Sequence, residues 1–384
     1  MTSVGIFRLR YPVGSETFIR EQAGALLRYR PTVITRSWVN EVPSSLPICG
    51  LGGRRTTLPA RLRRWAYSLT ASPALFGSDD PLPPVDLVHA HFGPDGTYAM
   101  PLAAALGVPL ITTFHGWDVT VHTAEMIRSA NPTTVRYLLT RAALRRRGAA
   151  FIAVSDFIRN RLLVLGFPAE RVIRHYIGVD IDRFVPSSVA ARAGNRYVLS
   201  VARHADKKGL DTLLRAFAQV APRFPDVRLV QVGHGRLTPM LHALTAELGI
   251  ASRVDFLGAQ SSDTVRALMQ DAFAVAHTSQ TAADGDQEAL GIVLNEASAC
   301  GVPIVATRHG GIPEAVLDGE TGLVVPERDV VAIAHALTAL LADPGLAFRL
   351  GCRGREFVED VFNLRTQTAA LERIYDSVVG SART

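Results

Sequence analysis

The stretch YVLSVARHADKKGLDTLLRAFAQVAPRFPDVRLVQVGHG, from Tyr197 to Gly235, decides the fold. A short β-branched run, YVLSVAR, leads into a helical pattern, and a second such run, VRLVQVGHG, follows it. A strand, a helix and a strand in succession are typical of a parallel sheet that is covered by helices. The same alternation runs through both halves of the chain. The sequence therefore predicts an α/β protein with two doubly wound domains in tandem.

The length of the chain and one polar segment predict the domain boundaries. Its 384 residues suit two domains of roughly 150–200 residues each. The segment GVDIDRFVPSSVAARAGN, residues 178–195, is rich in polar, Pro and Gly residues and is predicted to be the linker. We expect Rossmann-like domains over 1–185 and 190–364 that face a cleft, with a helix of about 365–384 packing back on the first domain. Residues 39–84, rich in Pro, Gly and Arg, are not assigned.

Composition limits the cellular setting. The three cysteines, Cys49, Cys300 and Cys352, are far apart and lack metal or redox spacing, which favours a reducing cytoplasm. No run reaches the ~18 apolar residues of a membrane span, so we expect a cytoplasmic protein that is soluble or peripheral to a membrane. The net charge of +6 favours anionic partners. Basic residues do not alternate with aromatic ones, so nucleic acid is not expected as a partner.

Two glutamates in the stretch GDQEALGIVLNEASACGVPIVATRHGGIPEAV, from Gly285, give the strongest functional signal. Glu288 and Glu296 are separated by seven residues, and a helix that begins near Leu290 would place them up to about 12 Å apart. One carboxylate could then reach a sugar and the other a ribose. Backbone N–H groups at the start of such a helix attract anions, and here they belong to Ala289, Leu290, Gly291 and Ile292. The alternative is an amphipathic helix with two solvated glutamates.

Two cations precede this segment in the chain. Arg203 follows a predicted strand and Lys208 precedes a predicted helix, so both lie in one strand-to-helix turn. An arginine can bind two phosphate oxygens and a lysine acts as a point charge, a combination that suits a diphosphate. Lys207 is expected to be the more exposed neighbour. The alternative is an ordinary solvated turn.

Asp284, Gly285 and Asp286 form an acidic triplet of the kind that binds metal in some nucleotide-sugar enzymes. Because Arg203 and Lys208 already supply positive charge, we expect no metal here. Asp286 is expected to face a sugar hydroxyl instead.

Histidines at predicted strand ends are the candidates in the first half. His89 and His91 alternate along one strand. No third ligand is evident, so acceptor-side hydrogen bonding is favoured over zinc. His115 ends the next strand and is followed by Trp117 and Asp118, which favours a functional role over that of a core histidine.

These motifs together resemble one enzyme family. The patterns VAR..DKKG.D.LL.AF, VGHG, EA..CG.P.VAT..GG.PE.V and G.TGLVVP, across Tyr197–Pro326, resemble the donor domain of family-4 retaining glycosyltransferases. HAHFGPDG, TFHGWD and SETFI resemble the acceptor domain of members that build bacterial exopolysaccharides. The resemblance implies the GT-B fold. Ala289 and Leu290 depart from the Gly and aromatic residue of many members.

The resemblance also implies roles for individual residues on the donor side. Arg203 and Lys208 would hold the donor diphosphate, while Glu288 would meet the transferred sugar and Glu296 the ribose. Gly291 and Ile292 would offer backbone donors to the phosphates.

In the first half, the resemblance places His115 near the anomeric carbon of the donor. Gly14 would let the backbone approach the phosphate, although the usual pair of glycines is reduced to one. The acceptor-side residues would be His91, Trp117 and Asp118.

The predicted function is transfer of a sugar from a nucleotide diphosphate sugar to a glycan or lipid-linked glycan, in polysaccharide biosynthesis. The resemblance implies retention of configuration, and neither a metal nor another cofactor is expected. Two alternatives stay open: a nucleotide-sugar epimerase of the same fold, and a non-catalytic nucleotide-sugar-binding protein.

Two arginine clusters predict an anionic membrane surface as a further partner. The first comprises Arg54, Arg55, Arg61, Arg63 and Arg64, followed by Trp65 and Tyr67. The second comprises Arg141, Arg145, Arg146 and Arg147, with Leu138, Leu139 and Leu144. The alternative is that both are solvated helix faces of a basic protein.

Overall fold

The chain folds into two compact units. The computed structural model describes residues 2–13, 16–39, 45–51, 57–76, 81–187 and 196–383. The first unit comprises Met1–Gly178 and Leu364–Thr384, and the second comprises Val179–Asn363. Each unit has its own parallel sheet with flanking helices, so the predicted two-sheet α/β architecture is confirmed.

The first unit is built on seven parallel strands in the order β3-β2-β1-β4-β5-β6-β7. They are β1 (Thr2–Tyr11), β2 (Tyr29–Trp38), β3 (Ile48–Gly50), β4 (Leu87–His91), β5 (Leu110–Phe114), β6 (Ala150–Ala153) and β7 (Val172–Arg174). Residues of β4, β5 and β6 are buried along their whole length, as expected for strands that have helices on both faces. The strand order reverses between β1 and β4, which is where doubly wound sheets bind their ligands.

Helices complete the first unit, and one of them comes from the C-terminus. They are α1 (Thr17–Gly24), α2 (Leu58–Thr70), α3 (Gly93–Leu106), α4 (Trp117–Thr120), α5 (Thr123–Arg128), α6 (Pro132–Arg147), α7 (Asp156–Val164) and α15 (Leu364–Arg383). Glu372 of α15 accepts hydrogen bonds from the backbone N–H groups of Leu27 and Arg28, at 2.8 and 2.6 Å. Leu371, Tyr375 and Val379 bury their side chains in the core of this unit.

The second unit is built on six parallel strands in the order β10-β9-β8-β11-β12-β13. The strands are β8 (Tyr197–Val201), β9 (Arg228–Val232), β10 (Val254–Phe256), β11 (Ala274–His277), β12 (Ile304–Thr307) and β13 (Gly322–Val325). The helices are α8 (Leu210–Val220), α9 (Thr238–Glu247), α10 (Ser262–Asp271), α11 (Ile292–Ala299), α12 (Ile312–Ala315), α13 (Val330–Ala342) and α14 (Pro344–Val361). Here the strand order reverses between β8 and β11.

The boundary between the units differs from the predicted linker. Residues 179–187 belong to the second unit, because Phe184 is buried and Arg355 donates to the carbonyl oxygens of Ile181 and Phe184, at 3.1 and 2.6 Å. The rest of the predicted linker, residues 188–195, lies outside the described residues.

Among the described residues, no single helix has the length and apolar composition to cross a bilayer. One pair, α13 and α14, meets the length and composition criteria only when both helices are counted together, and the chain bends by 101° between them.

Candidate active site

The turn after β8 carries the two lysines of the second unit. It forms one 3-10 turn, Asp206–Lys208, and passes into α8 through Gly209, whose φ is 56°. A Cβ atom at Gly209 would lie 2.1 Å from the carbonyl oxygen of Thr278, so only glycine permits this close approach. The peptide N–H of Gln280 donates to the carbonyl oxygen of Lys207 at 2.8 Å. The turn is thus fixed against the residues that follow β11, at the point where the strand order reverses.

Lys208 and Glu288 form a largely buried ion pair there. The Lys208 ammonium donates to Glu288 Oε2, and the two side chains are 13 % and 14 % exposed. Ser279 Oγ donates to the same oxygen at 3.4 Å, and His277 Nε2 lies 3.6 Å from it. Burial alone would raise the pKa of Glu288, but the Lys208 charge and the contact with His277 hold that pKa well below its usual range. Glu288 is therefore ionised at neutral pH.

Lys207 forms a second ion pair beside the first. Its ammonium lies 3.1 Å from Asp286, and both side chains are mostly buried. The expectation that Lys207 would be the exposed neighbour is therefore wrong, because Asp286 draws it inward. Asp284 Oδ1 accepts the backbone N–H of Asp286 at 2.9 Å. The sugar-facing role of Asp286 stays a prediction.

Arg203 differs from the two lysines in its surroundings. It lies two residues beyond β8, is exposed, and makes no hydrogen bond or ion pair with another side chain in the part of the chain that the structure describes. Burial lowers the pKa of Lys208, and the positive charges of Lys207 and Arg203 lower it further. The Glu288 carboxylate raises this pKa but does not cancel the other effects. The turn thus presents one unpaired cation next to two paired ones.

The segment between the two glutamates begins its helix later than expected. α11 starts at Ile292 rather than near Leu290, because Gly291 adopts a φ of 82° and ends the irregular segment before the helix. Ala289 and Leu290 are buried. Of the four backbone N–H groups predicted to bind anions, those of Ala289 and Leu290 therefore lie in a loop. The third belongs to Gly291, in the left-handed region, and only that of Ile292 belongs to the helix. Glu296 lies within α11 and is half-buried; its contact with a ribose stays a prediction.

His309 holds the backbone of Glu288 in place. The Glu288 N–H donates to His309 Nε2 at 3.1 Å, and His309 Nδ1 lies 2.9 Å from Glu327 Oε2. Since Nε2 accepts, the ring proton belongs on Nδ1 and points at Glu327. Glu327 also accepts the backbone N–H of Thr281 at 2.7 Å. One carboxylate therefore fixes the histidine tautomer and the loop that leads to Glu288.

Two histidines meet in the first unit. His91 ends β4, His115 follows β5, and His91 Nδ1 lies 3.0 Å from His115 Nε2. Burial lowers the pKa of each ring well below its usual range, and the Arg8 guanidinium contributes to both shifts. Both rings are therefore neutral at pH 7, and one must donate to the other. His89 is not part of this pair.

The predicted acceptor-side hydrogen bonding of His89 is wrong. Its two ring nitrogens contact Tyr375 Oη and Thr113 Oγ1, both at 2.7 Å, and the side chain is buried. His89 therefore joins the C-terminal helix α15 to the sheet and has no nitrogen left for a ligand.

Asp118 and Trp117 occupy different surroundings. Asp118 is fully buried and accepts the backbone N–H groups of Gly93 and Gly116, both at 2.9 Å. Burial raises the pKa of this carboxyl to about 6, and the backbone hydrogen bonds partly oppose that shift. Trp117 is half-buried, and its ring centroid lies 6.1 Å from that of Phe92. Acceptor contacts of either residue stay predictions.

Arg8 links the start of α1 to the histidine pair. It is buried, donates to Glu16 at 2.7 Å and to Asp95 at 2.5 Å, and also donates to the carbonyl oxygen of His91 at 2.8 Å. Burial raises the pKa of Asp95 to about 6, with Arg8 opposing the shift. Gly14, the predicted loop glycine, lies outside the described residues.

Comparisons with known proteins decide the family. Residues 183–357 match the family described as glycosyl transferases group 1, and residues 12–183 match the family described as glycosyltransferase family 4. WcaL of Escherichia coli K12, named as a colanic acid biosynthesis glycosyltransferase, is 31 % identical over 94 % of this chain and 96 % of its own length. The chain belongs to glycosyltransferase family 4.

Two further proteins show the breadth of the similarity. A mannosyltransferase of Mycolicibacterium smegmatis, named as GDP-mannose-dependent and acting on a phosphatidylinositol monomannoside, is 39 % identical over 62 % of this chain and 65 % of its own length. The crystal structure of Anabaena HepE with UDP and glucose has a TM-score of 0.74 at 20 % identity, covering 98 % of this chain and all of HepE. The family-4 enzyme thus has the GT-B fold and is a glycosyltransferase. WcaL and the mannosyltransferase are both named as glycosyltransferases, so the epimerase alternative is set aside.

Sequence reasoning missed several residues of this family-4 glycosyltransferase. In the second unit these are His277, Ser279, His309 and Glu327; in the first they are Arg8, Glu16 and Asp95. His277 and His309 lie at the carboxyl ends of the adjacent strands β11 and β12. Polar residues at that edge of a parallel sheet are the signal that would have drawn attention to them.

Proposed function

We propose that this glycosyltransferase moves a hexosyl group from a nucleoside diphosphate sugar to a glycan or lipid-linked glycan, with retention of configuration and without a metal ion. The observation that carries the proposal is the Lys208–Glu288 ion pair at the reversal of strand order in the second unit. A largely buried ammonium beside an ionised carboxylate supports opposite contacts, the first to a diphosphate and the second to the attached sugar.

The leaving diphosphate gains negative charge as the glycosidic bond breaks, and preplaced cations lower that barrier most. Arg203, Lys207 and Lys208 supply three such charges within one turn. Asp286 is committed to Lys207, and Asp284 to the backbone of Asp286. This arrangement supports a diphosphate site that is built on side-chain cations, with no metal required.

Glu288 suits the sugar because an ionised carboxylate accepts hydrogen bonds from two hydroxyl groups. A double displacement would need a free carboxylate nucleophile about 5 Å from an acid. Glu288 and Asp286 are both paired with lysines, which favours attack from the leaving-group side within an ion pair. Retention follows from that route.

The first unit supplies the acceptor side in this proposal. The neutral His91–His115 pair and half-buried Trp117 offer a hydrogen-bonding group and an aromatic surface of the kind that binds sugars. The relatives named above act in colanic acid biosynthesis and on a phosphatidylinositol mannoside, which supports a glycan or lipid-linked acceptor. We place the enzyme in the cytoplasm, with an anionic membrane surface among its partners.

A thermal-shift screen against nucleotide sugars, followed by transfer assays, tests this function. A donor at 100 times its dissociation constant adds roughly 2.7 kcal/mol to the free energy of unfolding. UDP-glucose and GDP-mannose are the first two probes, with the free sugars as controls. We expect one nucleotide sugar to stabilise the protein and to yield an α-linked product from its α-linked donor. Stabilisation by none of the panel, or a β-linked product, would contradict the proposal.

A further inference from the structure

A hollow of about 490 Å³ opens on the first unit, between the end of α6 and the connection from α7 to β7. Its volume falls within the range of small-molecule sites, roughly 300–1,000 Å³. Three of its lining residues are arginines and none is acidic. The lining consists of Ala142, Arg145, Arg146, Gly166, Pro168 and Arg171. The hollow therefore has the size and the sign of charge of a site for a small anion.

The hollow lies at the opposite edge of the sheet from the His91–His115 pair. Its lining comes from the segments in which α6 leads into β6 and α7 leads into β7. In a parallel sheet these connections lie at the amino ends of the strands, whereas His91 and His115 lie at the carboxyl ends of β4 and β5. A strand of four residues such as β6 is roughly 13 Å long. A ligand in the hollow would thus contact neither histidine.

Backbone carbonyl groups hold two of the three arginines in place. Arg145 Nη1 donates to the carbonyl oxygen of Leu165, at the end of α7, at 2.6 Å. Arg171 Nη1 donates to the carbonyl oxygens of Arg146 and Gly148, at the end of α6, at 3.1 and 3.3 Å. The Arg146 side chain is exposed and makes no hydrogen bond or ion pair with any residue that the structure describes. Two guanidinium groups are therefore fixed and the third is free.

Helix capping accounts for only part of this charge. Each helix C-terminus carries about −0.5 of an elementary charge, and two such ends face three guanidinium groups. None of the three arginines forms an ion pair within the described part of the chain. Glu170, next to Arg171 in the chain, is exposed and does not line the hollow. A net charge of about +2 remains, which a dianion would neutralise.

The hollow lies within the second of the two arginine clusters that the sequence singles out. Leu144 of that cluster was expected at a membrane surface, but it is buried. The lining of the hollow contains no large apolar side chain that could insert among lipids. In the first cluster Tyr67 is buried as well, and residues 54–55 lie outside the described part of the chain. The hollow thus suits a soluble ligand.

We propose that the hollow binds a soluble phosphate ester or diphosphate of nucleotide size, at a site made only of residues of the first unit. Guanidinium groups bind phosphate oxygens two at a time, and the anchored Arg145 and Arg171 present theirs in fixed orientations. Gly166 adopts a φ of 78°, and a Cβ atom there would lie 2.6 Å from Arg145 Nη1, so glycine leaves room for this group. Arg146 completes the contact from the open side.

Isothermal titration of the full chain with pyrophosphate tests the site. Pyrophosphate can also bind at the turn of Lys208, so we expect two sites in the wild type. Arg146→Gln should weaken one of them about tenfold or more, because a hydrogen bond to a charged group is worth about that much. Lys208→Gln should weaken only the other. Arg147→Gln is the matched control, since Arg147 is exposed beside Arg146 but does not line the hollow, and it should bind like the wild type.

Hydrogen exchange locates the bound pyrophosphate. Peptides that cover residues 142–148 and 166–171 should exchange more slowly with pyrophosphate in the wild type and in Arg147→Gln, but not in Arg146→Gln. Arg146→Glu reverses the charge and should abolish this effect. Both Arg146 variants should keep the unfolding temperature of the wild type, because the side chain they replace is exposed and has no partner among the described residues.

Three outcomes would overturn the site. They are unchanged exchange in the wild type, equal weakening by Arg146→Gln and Arg147→Gln, and displacement of pyrophosphate by sodium chloride at moderate ionic strength, which would indicate a non-specific basic surface. Vesicles that contain phosphatidylglycerol are added as a competitor, and displacement by them would refute a soluble ligand. Slower exchange around the hollow without any binding at Lys208 would count against the proposed function and leave this site intact.

Discussion

Separate replacement of the Lys208 ammonium and the Glu288 carboxylate tests how tightly the two are coupled. Removing one member of a buried ion pair costs about 3–5 kcal/mol, because the other charge is left uncompensated. Both side chains keep slight exposure, 13 % and 14 %, so we expect about 2–3 kcal/mol for Glu288→Gln or for Lys208→Gln. In a unit of this size each kcal/mol lowers the unfolding temperature by about 2–4 °C. Each single variant should therefore melt roughly 5–10 °C below the wild type.

The double variant isolates the interaction itself. Lys208→Gln/Glu288→Gln leaves two neutral amides that can bond to each other, so its loss should be well below the sum of the two single losses. We expect a coupling free energy of about 2 kcal/mol from a double-mutant cycle in urea. The matched control is the surface pair of Arg228 and Asp255, 44 % and 37 % exposed, for which less than about 1 kcal/mol is expected. Equal couplings in the two cycles would refute the reasoning.

The single variant Glu288→Gln also separates the contact with the sugar from the contact with the phosphates. Glu288→Gln keeps all the cations of the turn, so UDP or GDP should bind as tightly as before or more tightly. Transfer should fall by at least about 100-fold, since loss of one preplaced contact to the reacting sugar costs that much. Isothermal titration and turnover rates measured on one preparation decide it. Turnover within tenfold of the wild type would contradict the role assigned to Glu288.

Three further outcomes are expected. Transfer should survive exhaustive chelation; loss with EDTA that manganese restores would contradict the metal-free diphosphate site. Glu327→Gln removes the charge that holds the His309 proton on Nδ1, so transfer should fall about tenfold with nucleoside diphosphate affinity unchanged; an unaltered rate would show that the tautomer does not matter. Burial lowers the pKa of His89 to about 3, below its unfolded value, so its contribution to stability is complete above pH ~6.5 and is lost as pH falls toward 3. Unfolding temperatures of His89→Gln should then decline less steeply on acidification than those of the wild type, and parallel slopes would count against this.

Most of the fold could be predicted because its strands are short, buried and separated by amphipathic helices. Residues 39–84 could not be assigned from the sequence, and the structure places β3 and α2 among them. Strand β3 has only three residues, too few to show a periodic pattern. Helix α2 has the helical period, but its large apolar residues face outward and its buried face is formed by Ala60 and Tyr67. A search of the sequence for an apolar stripe that faces the core therefore selects the exposed side of α2 and misses the buried one.

The sequence predicts which residues belong to the candidate site, but it does not predict which of them contact each other. The sequence singles out Lys208 and Glu288, but their pairing depends on β8 lying beside β11. That order is a property of the sheet, which no local pattern contains. The same holds for His309 and Glu327, which follow β12 and β13 and meet because those strands are neighbours. Contacts made across strands far apart in the chain carry no short-range signal.

The ion pairs also bear on how a donor would enter the second unit. Burying an unpaired ammonium is costly, so Lys207 and Lys208 are kept inside by Asp286 and Glu288 before any ligand arrives. A diphosphate that approaches this turn would meet two lysines that are already desolvated and positioned. It would share each lysine with its carboxylate, or replace that carboxylate, so no further cation would need to be buried. A freed Glu288 carboxylate would then turn to the sugar hydroxyls. In the proposed mechanism, Glu288 would serve first as the counter-ion of Lys208 and afterwards as a sugar ligand. Its replacement by glutamine should then weaken the fold and stop transfer while sparing nucleotide binding.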